Sequence, residues 1–267
     1  MATDSAGVQA NDDVTTMCAI SVLAAMLGTV LHEALGHAAI ALLTGAKSGV
    51  LSTVAWSSKQ DSRLVAAGGT LVNLAAAAVF WIALRSARGA SVRWRFFLLI
   101  SVAFNLFTGT GYFFFSGVTN FGDWAAVING LHAHWLWRTL LVVLGIASYY
   151  GAVLVVGIGL VRYVGVPKND SRRLRKLTLL PYVSSVVTLT AGGVLNPIGM
   201  QLVWLSALPA SAGAKSGLLW LQYYIPRGTA PERQGDAIER SYGWITLAVA
   251  LLALFVFVLG RGITLRR

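Results

Sequence analysis

His32, Glu33 and His37 stand within six residues of one another, inside a stretch from Met17 to Thr44 that is otherwise nearly all apolar or small. Imidazoles and carboxylates are costly in such a segment unless they serve one another, a shared ligand or a reaction. A His-Glu pair followed by a second histidine is also the core of a helical signature in which two imidazoles hold zinc and the glutamate acts as general base. The common form, H-E-x-x-H, puts its histidines four residues apart on one helix face. Here the form is H-E-x-x-G-H, with the histidines five apart. On an α-helix a five-residue step turns by about 140° and points the two imidazoles away from each other. A π-bulge absorbed at Gly36 would return them to one face. The plainer alternative is that the histidines bond to neighbouring helices and that Glu33 simply pairs with His37 one turn on.

A catalytic zinc site takes three protein ligands and leaves one position open. Of the ten Asp and Glu residues, only Glu33 falls within an apolar segment. Asp123, in the glycine-bounded turn Ser116 to Trp124, is the acid closest to the end of another one. It could equally cap a helix starting at Trp124. His132 and His134 are the other candidates, although two histidines two residues apart do not face one way on a helix. Beside Trp135 and Trp137 they also fit an interfacial role. Cys18, the single cysteine, excludes an internal disulfide and a cysteine cage. In the second apolar segment Gly69 and Asn73 form a G-x-x-x-N pattern. Its glycine allows close helix approach, and its buried amide could bond a substrate backbone.

The elements that must position these groups are membrane helices. The chain is 56% hydrophobic and 12% charged, with a mean hydropathy of +0.69. Six segments are long enough to cross roughly 30 Å of hydrocarbon: 17–44, 64–84, 96–116, 139–161, 177–208 and 242–260. All should be helical, because an open strand leaves its backbone unbonded in lipid. The expected fold is therefore all-α, a polytopic membrane protein with about six transmembrane helices. The fifth is kinked or broken near Gly192-Gly193 and Asn196-Pro197 and ends at Pro209. Ala210 to Gly217 reads as a small, flexible stretch, followed by Trp220, Tyr223 and Tyr224 as interfacial anchors. The organisation is an N-terminal tail (1–16), a three-helix core bearing the site (17–138) and further helices of the same membrane domain (139–267). The tail holds Asp4, Asp12 and Asp13 and no Lys or Arg, unlike a signal peptide, so the first segment is expected to be a permanent span.

The net charge of +11 lies in short clusters between apolar runs, which suits contact with a lipid bilayer and not with nucleic acid. The loop 85–95 carries Arg85, Arg88, Arg93 and Arg95. The loop 162–176 carries Arg162, Lys168, Arg172, Arg173, Arg175 and Lys176, and the tail carries Arg261, Arg266 and Arg267. With six spans these three regions share the cytoplasmic side with the N-terminus. His37 then lies toward the outer end of the first span, and Asp123 just beyond the outer end of the third.

In order, the chain has a His-Glu…His helix, a G-x-x-x-N helix and a third helix leading to an aspartate. That order, from about Met17 to Trp135, resembles the site-2 protease family of intramembrane zinc metalloproteases. The resemblance implies that His32, His37 and Asp123 bind Zn2+, that Glu33 is the general base, and that Asn73 lies near the substrate strand or oxyanion. It also implies hydrolysis of membrane-anchored protein substrates in a cell (inner) membrane. The chain departs from the family in the extra residue before His37 and in carrying Gly122-Asp123 without a proline-rich approach. The H-E-x-x-G-H form itself is similar to the zinc motif of the soluble dipeptidyl peptidase III family. Two other functions fit the same groups: a membrane transporter relaying a metal ion or protons, and a catalytically inactive relative that binds membrane partners. A transporter of this kind usually carries acids on several spans and an inverted repeat, and neither is visible here.

Overall fold

The computed structural model describes residues 11–60, 62–166, 170–197, 199–225, 229–231 and 235–267. Residues 1–10 of the N-terminal tail, including Asp4, lie outside the described residues, as does Lys168. Six helices are long and apolar enough to cross a membrane: Val14–Leu43, Arg63–Gly89, Val92–Thr119, His134–Val164, Ser171–Val194 and Tyr242–Leu259. The protein is thus predominantly helical, and its six long apolar helices are those of a multi-pass membrane protein.

Several helices begin before their apolar run because the capping residue precedes it. Asp13 Oδ1 accepts from the Thr16 amide (2.8 Å), and Ser62, Ser91 and Asp170 cap the second, third and fifth helices in the same way. Such caps satisfy amides that would otherwise be unpaired at a helix start. The third helix is the most enclosed of the six and carries the largest buried side chains, among them Phe96, Phe104 and Phe107.

The chain does break after the fifth helix, at Leu195 to Pro197, but it then winds up again. π-helical turns at Val203–Ala207 and Pro209–Gly213 are followed by a 3-10 turn, Ala214–Ser216, and a short helix, Gly217–Tyr224. Pro209 therefore opens a helical turn where the sequence suggests an end, and Ala210 to Gly217 is wound and not a loose connection. Side chains from neighbouring elements hold this stretch. The Tyr149 hydroxyl donates to Ala214 O (2.7 Å) and accepts from the Gly217 amide (2.7 Å), while Tyr182 donates to Ala212 O (3.3 Å). Lys215 Nζ, itself buried, donates to Ala210 O at 2.6 Å.

A small sheet is the feature the sequence does not announce. Strands β1 (Ser48–Leu51), β2 (Trp56–Ser58) and β3 (Ile263–Arg266) form an antiparallel sheet in the order β2-β1-β3. Ser48 lies opposite Arg266 and Leu51 opposite Ile263. Strands that exchange hydrogen bonds share one face of any membrane. Residues 263–266 and the loop 45–63 therefore lie together, where a count of six crossings sets them on opposite faces.

Several arginines tie distant elements together. Arg173 is buried and grips Asp12 with two bonds (2.8 and 3.0 Å), while donating to Asp236 O at 2.6 Å. The Ile238 amide bonds the same Asp12 carboxylate at 2.8 Å. Arg138 donates to Gly117 O and Val118 O (2.9 and 2.7 Å), bonding carbonyls left free at the end of the third helix.

Candidate metal centre

Leu31–Ala39, in the middle of the first long helix, is wound as a π-helix. Its hydrogen bonds run from residue i to i+5, so residues five apart fall on one face. The winding extends over nine residues, where the sequence suggests a single bulge at Gly36. Gly36 packs directly against the backbone of the second helix. A Cβ there would collide with the backbone of Gly68 and Gly69, and one on Gly68 would collide with the Gly36 carbonyl. Glycine on both sides is what lets the two helices touch backbone to backbone.

As a result the two imidazoles converge. His32 Nε2 and His37 Nε2 are 3.2 Å apart, and Asp123 Oδ2 lies 3.3 Å from the first and 3.6 Å from the second. Asp123 is the first residue of the short helix Asp123–Ile128, whose cap is Gly122 with φ +84°. Its carboxylate faces the histidines and does not cap that helix. Glu33 completes the cluster: His32, Glu33 and His37 each offer a ligand atom within 4.8 Å of the others, and all three are buried. These residues could hold a metal ion.

Each imidazole is held by its other nitrogen. His37 Nδ1 meets the Val65 carbonyl at 2.7 Å. A carbonyl can only accept, so His37 carries a proton on Nδ1. His32 Nδ1 meets Asn73 Oδ1 at 2.6 Å. The Asn73 amide nitrogen donates to Gly28 O (3.2 Å) and to Asn105 Oδ1 (2.7 Å), and Asn105 in turn donates to Ser101 O (2.8 Å). That chain fixes Asn73 Oδ1 as an acceptor and puts the His32 proton on Nδ1 as well. In the neutral rings both Nε2 lone pairs therefore point at the same spot, together with a carboxylate oxygen. Glu33 Oε2 and Asp123 Oδ2 are buried and accept no ordinary hydrogen bond among the described residues. A Cβ built on Gly69 would sit 2.5 Å from both Nε2 atoms, so the space they face exists because residue 69 has no side chain.

The structure thus brings together His32, Glu33, His37 and Asp123. Asn73 is adjacent, but both hydrogens of its amide are engaged, which leaves no donor for an oxyanion; what it contacts is His32. His132 and His134 lie elsewhere, the first in the connection before the fourth helix and the second at its first residue, beside a surface depression. The sequence offers no role for Asn105, and Tyr112, in the run Tyr112–Phe115, reads as lipid-facing or core. The Tyr112 ring stacks on His32 with centroids 5.1 Å apart and planes 20° apart. An uncharged amide at 105 within an apolar helix was a readable signal, since buried amides need partners. Tyr112 carries no signal beyond its place in an aromatic run.

The cluster forms one wall of a cavity of about 1010 Å³ between the helices. Its other walls are largely apolar and aromatic, including Phe115, Phe121, Tyr149, Trp220 and Tyr224. Val54, Ala55 and Trp56 line it too, which places the edge strand β2 at its rim, and the Trp56 backbone amide faces Glu33. In comparisons with known proteins the chain matches no family model, and neither a curated protein nor a solved structure matches it.

Proposed function

We propose that the protein is an intramembrane zinc metalloprotease that hydrolyses peptide bonds of membrane-anchored proteins. The observation that carries the reading is the convergence of three lone-pair donors, His32 Nε2, His37 Nε2 and Asp123 Oδ2, separated by 3.2, 3.3 and 3.6 Å. Ligands about 2.0–2.1 Å from a tetrahedral zinc are separated by roughly 3.3–3.4 Å, the edge of that tetrahedron. Two buried imidazoles and a carboxylate suit zinc, a borderline-soft ion, better than the hard cations that prefer all-oxygen sites.

Bound there, zinc would supply Lewis acidity to water and to a peptide carbonyl. The protein's own residues supply the rest. Glu33, in the same cluster and with one oxygen unbonded, takes a proton from the attacking water and returns it to the leaving amine. Asn73 and the Val65 carbonyl hold the imidazoles by Nδ1, which keeps both Nε2 atoms available as ligands. The outer edge of β2, which pairs with no strand among the described residues, can accept an extended peptide as an added strand, which positions a carbonyl near Glu33. The apolar cavity favours a hydrophobic polypeptide over passage of ions.

The test is cleavage of a membrane-anchored reporter in reconstituted vesicles. Glu33→Gln should keep its metal and lose cleavage by at least about a hundredfold, the range for removal of a general base. Unchanged cleavage would overturn the assignment of Glu33.

A further inference from the structure

The pairing of β1 with β3 constrains how the chain threads the bilayer. Residues 11–13 lead into the first helix, and the Asp13 amide bonds Ile238 O at 2.7 Å. Arg173, at the start of the fifth helix, bonds Asp12 and Asp236 O. Arg93, at the start of the third, pairs with Glu239 at 3.6 Å. The starts of the first, third, fifth and sixth helices therefore share one face. The sixth helix runs from that face to β3, which lies with β1 on the other. Between the end of the fifth helix and the start of the sixth, the chain must cross once more.

The stretch from Leu202 to Ile225 has the contacts of that crossing. At one end Ser206 Oγ donates to Val54 O (2.9 Å), in the loop after the first helix. Midway, Ala214 Cβ approaches Gly111, and Lys215 Nζ lies 3.4 Å from Thr108 and 5.4 Å from the Phe104 ring centroid, all on the third helix. At the other end Leu221 and Ile225 sit against Gly157 and join the buried cluster that contains Leu160, Val164 and Leu174. The winding runs over residues 202–224, which at about 1.5 Å per residue, and less in the π turns, still reach across a hydrocarbon core of roughly 30 Å. Interrupted helices are tolerated at membrane depth where they are enclosed by protein or line a cavity, and this one lines the large cavity.

A seventh crossing redistributes the charges. The loops 85–95, 162–176 and 225–241 hold thirteen Lys and Arg, against seven in 45–63, 117–138 and 261–267. The richer face is the cytoplasmic one by the positive-inside bias. His37 lies six residues from the end of its helix on the other face, about 9 Å at 1.5 Å per residue.

We propose that Leu202–Ile225 is an interrupted seventh crossing, which puts residues 263–267 and the opening of the metal site together on the non-cytoplasmic face. The site then takes membrane proteins whose scissile bond lies in the non-cytoplasmic half of the bilayer. This last clause rests on the protease reading; the crossing does not.

The experiment places single cysteines in a Cys18→Ala background and labels intact cells with a membrane-impermeant maleimide. Lys59→Cys, Arg261→Cys and Arg267→Cys should label from outside, whereas Asn11→Cys and Gly89→Cys should label only after permeabilisation. Residues 261 and 267 labelling with 11 and 89 would overturn the seventh crossing. The reverse of the whole pattern would overturn the orientation. For the substrate clause, two reporters carry their helix-breaking, cleavable segment in the outer or in the inner half of the span. Cleavage of the outer one alone is expected, and cleavage of the inner one would overturn the clause. If neither is cut, the protease reading fails while the labelling result stands.

Discussion

The Nε2 atoms of His32 and His37 face each other across 3.2 Å, while each Nδ1 is bound elsewhere, to Asn73 Oδ1 at 2.6 Å and to the Val65 carbonyl at 2.7 Å. Two neutral imidazoles held in this way present lone pairs to each other with no proton between them. The arrangement is unfavourable by itself in a buried setting and becomes favourable when a cation lies between the rings. The orienting bonds are therefore as much a part of the proposed site as the groups that would bind the ion.

Loss of the Asn73 acceptor should weaken metal binding without unfolding the protein. Asn73→Ala is expected to lower metal affinity by about 10- to 100-fold, the usual range for an outer partner of a ligating histidine. Asn73→Asp, which retains an acceptor oxygen, should retain more of it. Competition with a graded series of chelators measures both, and equal affinity in wild type and Asn73→Ala would remove this role.

Gly69 gives a steric test of the same centre. In Gly69→Ala the new Cβ falls 2.5 Å from both Nε2 atoms, so metal content should drop to near background while helix content, read by circular dichroism, stays within error. Gly89→Ala, where a Cβ meets nothing within 4 Å, is the matched control. Gly36→Ala should also lower stability, by about 1–3 kcal/mol, because the Gly68–Gly69 backbone cannot easily yield.

Far from the site, the Asp12–Arg173 pair ties the start of the first helix to the start of the fifth and to the segment 235–238. Removing one partner strands a buried charge, so Arg173→Met should cost about 3–5 kcal/mol. Pairing it with Asp12→Asn should cost less than the two single changes added together. Unfolding midpoints in detergent test both, and strict additivity would mean that the two groups are not coupled.

The Asp13 cap predicts a pH dependence. Bonds from the Thr16 amide and hydroxyl hold the Asp13 carboxyl below its ordinary value. A carboxyl depressed in the folded state stabilises it above the unfolded value, about 3.9, and this contribution is lost as the pH falls through the lower, folded value. Asp13→Ala should accordingly destabilise at neutral pH by about 1 kcal/mol, as cap removal does. The difference from wild type should shrink below about pH 4. A difference that stays constant down to pH 2 would contradict the cap's ionised role.

The spans were legible because hydropathy is summed over many residues, and their ends less so because polar caps such as Asp13 and Ser62 stand before the apolar run. The break at Asn196-Pro197 could be read from residue chemistry. The rewinding after it could not, since Pro209 and the small residues around it are helical only through partners such as Tyr149 and Tyr182, which are distant in sequence. The sheet was hidden for a similar reason: β2 has three residues, and β3 pairs with a strand more than two hundred positions earlier. In the site, the histidine spacing called for a single π-bulge at Gly36 if the two rings were to meet, and the scarcity of acids set Asp123 beside His132 and His134 as candidate third ligands. Tyr112 reads as a lipid-facing or core residue of an aromatic run, and the role of the Asn105 amide shows only once its partner Asn73 is brought beside it. The amide of Asn73 reads from the sequence as a donor to substrate, whereas its hydrogens bond Gly28 and Asn105, which lie on two other helices.

The proposed protease requires a single metal ion held by His32, His37 and Asp123. The direct measurement is elemental analysis of the purified protein beside His37→Ala and Asp123→Ala. Wild type should carry about one zinc per chain, as expected for a three-ligand site, and both variants well under half of that at equal helix content. Equal zinc in all three proteins, or none in the wild type after zinc supplementation, would contradict it.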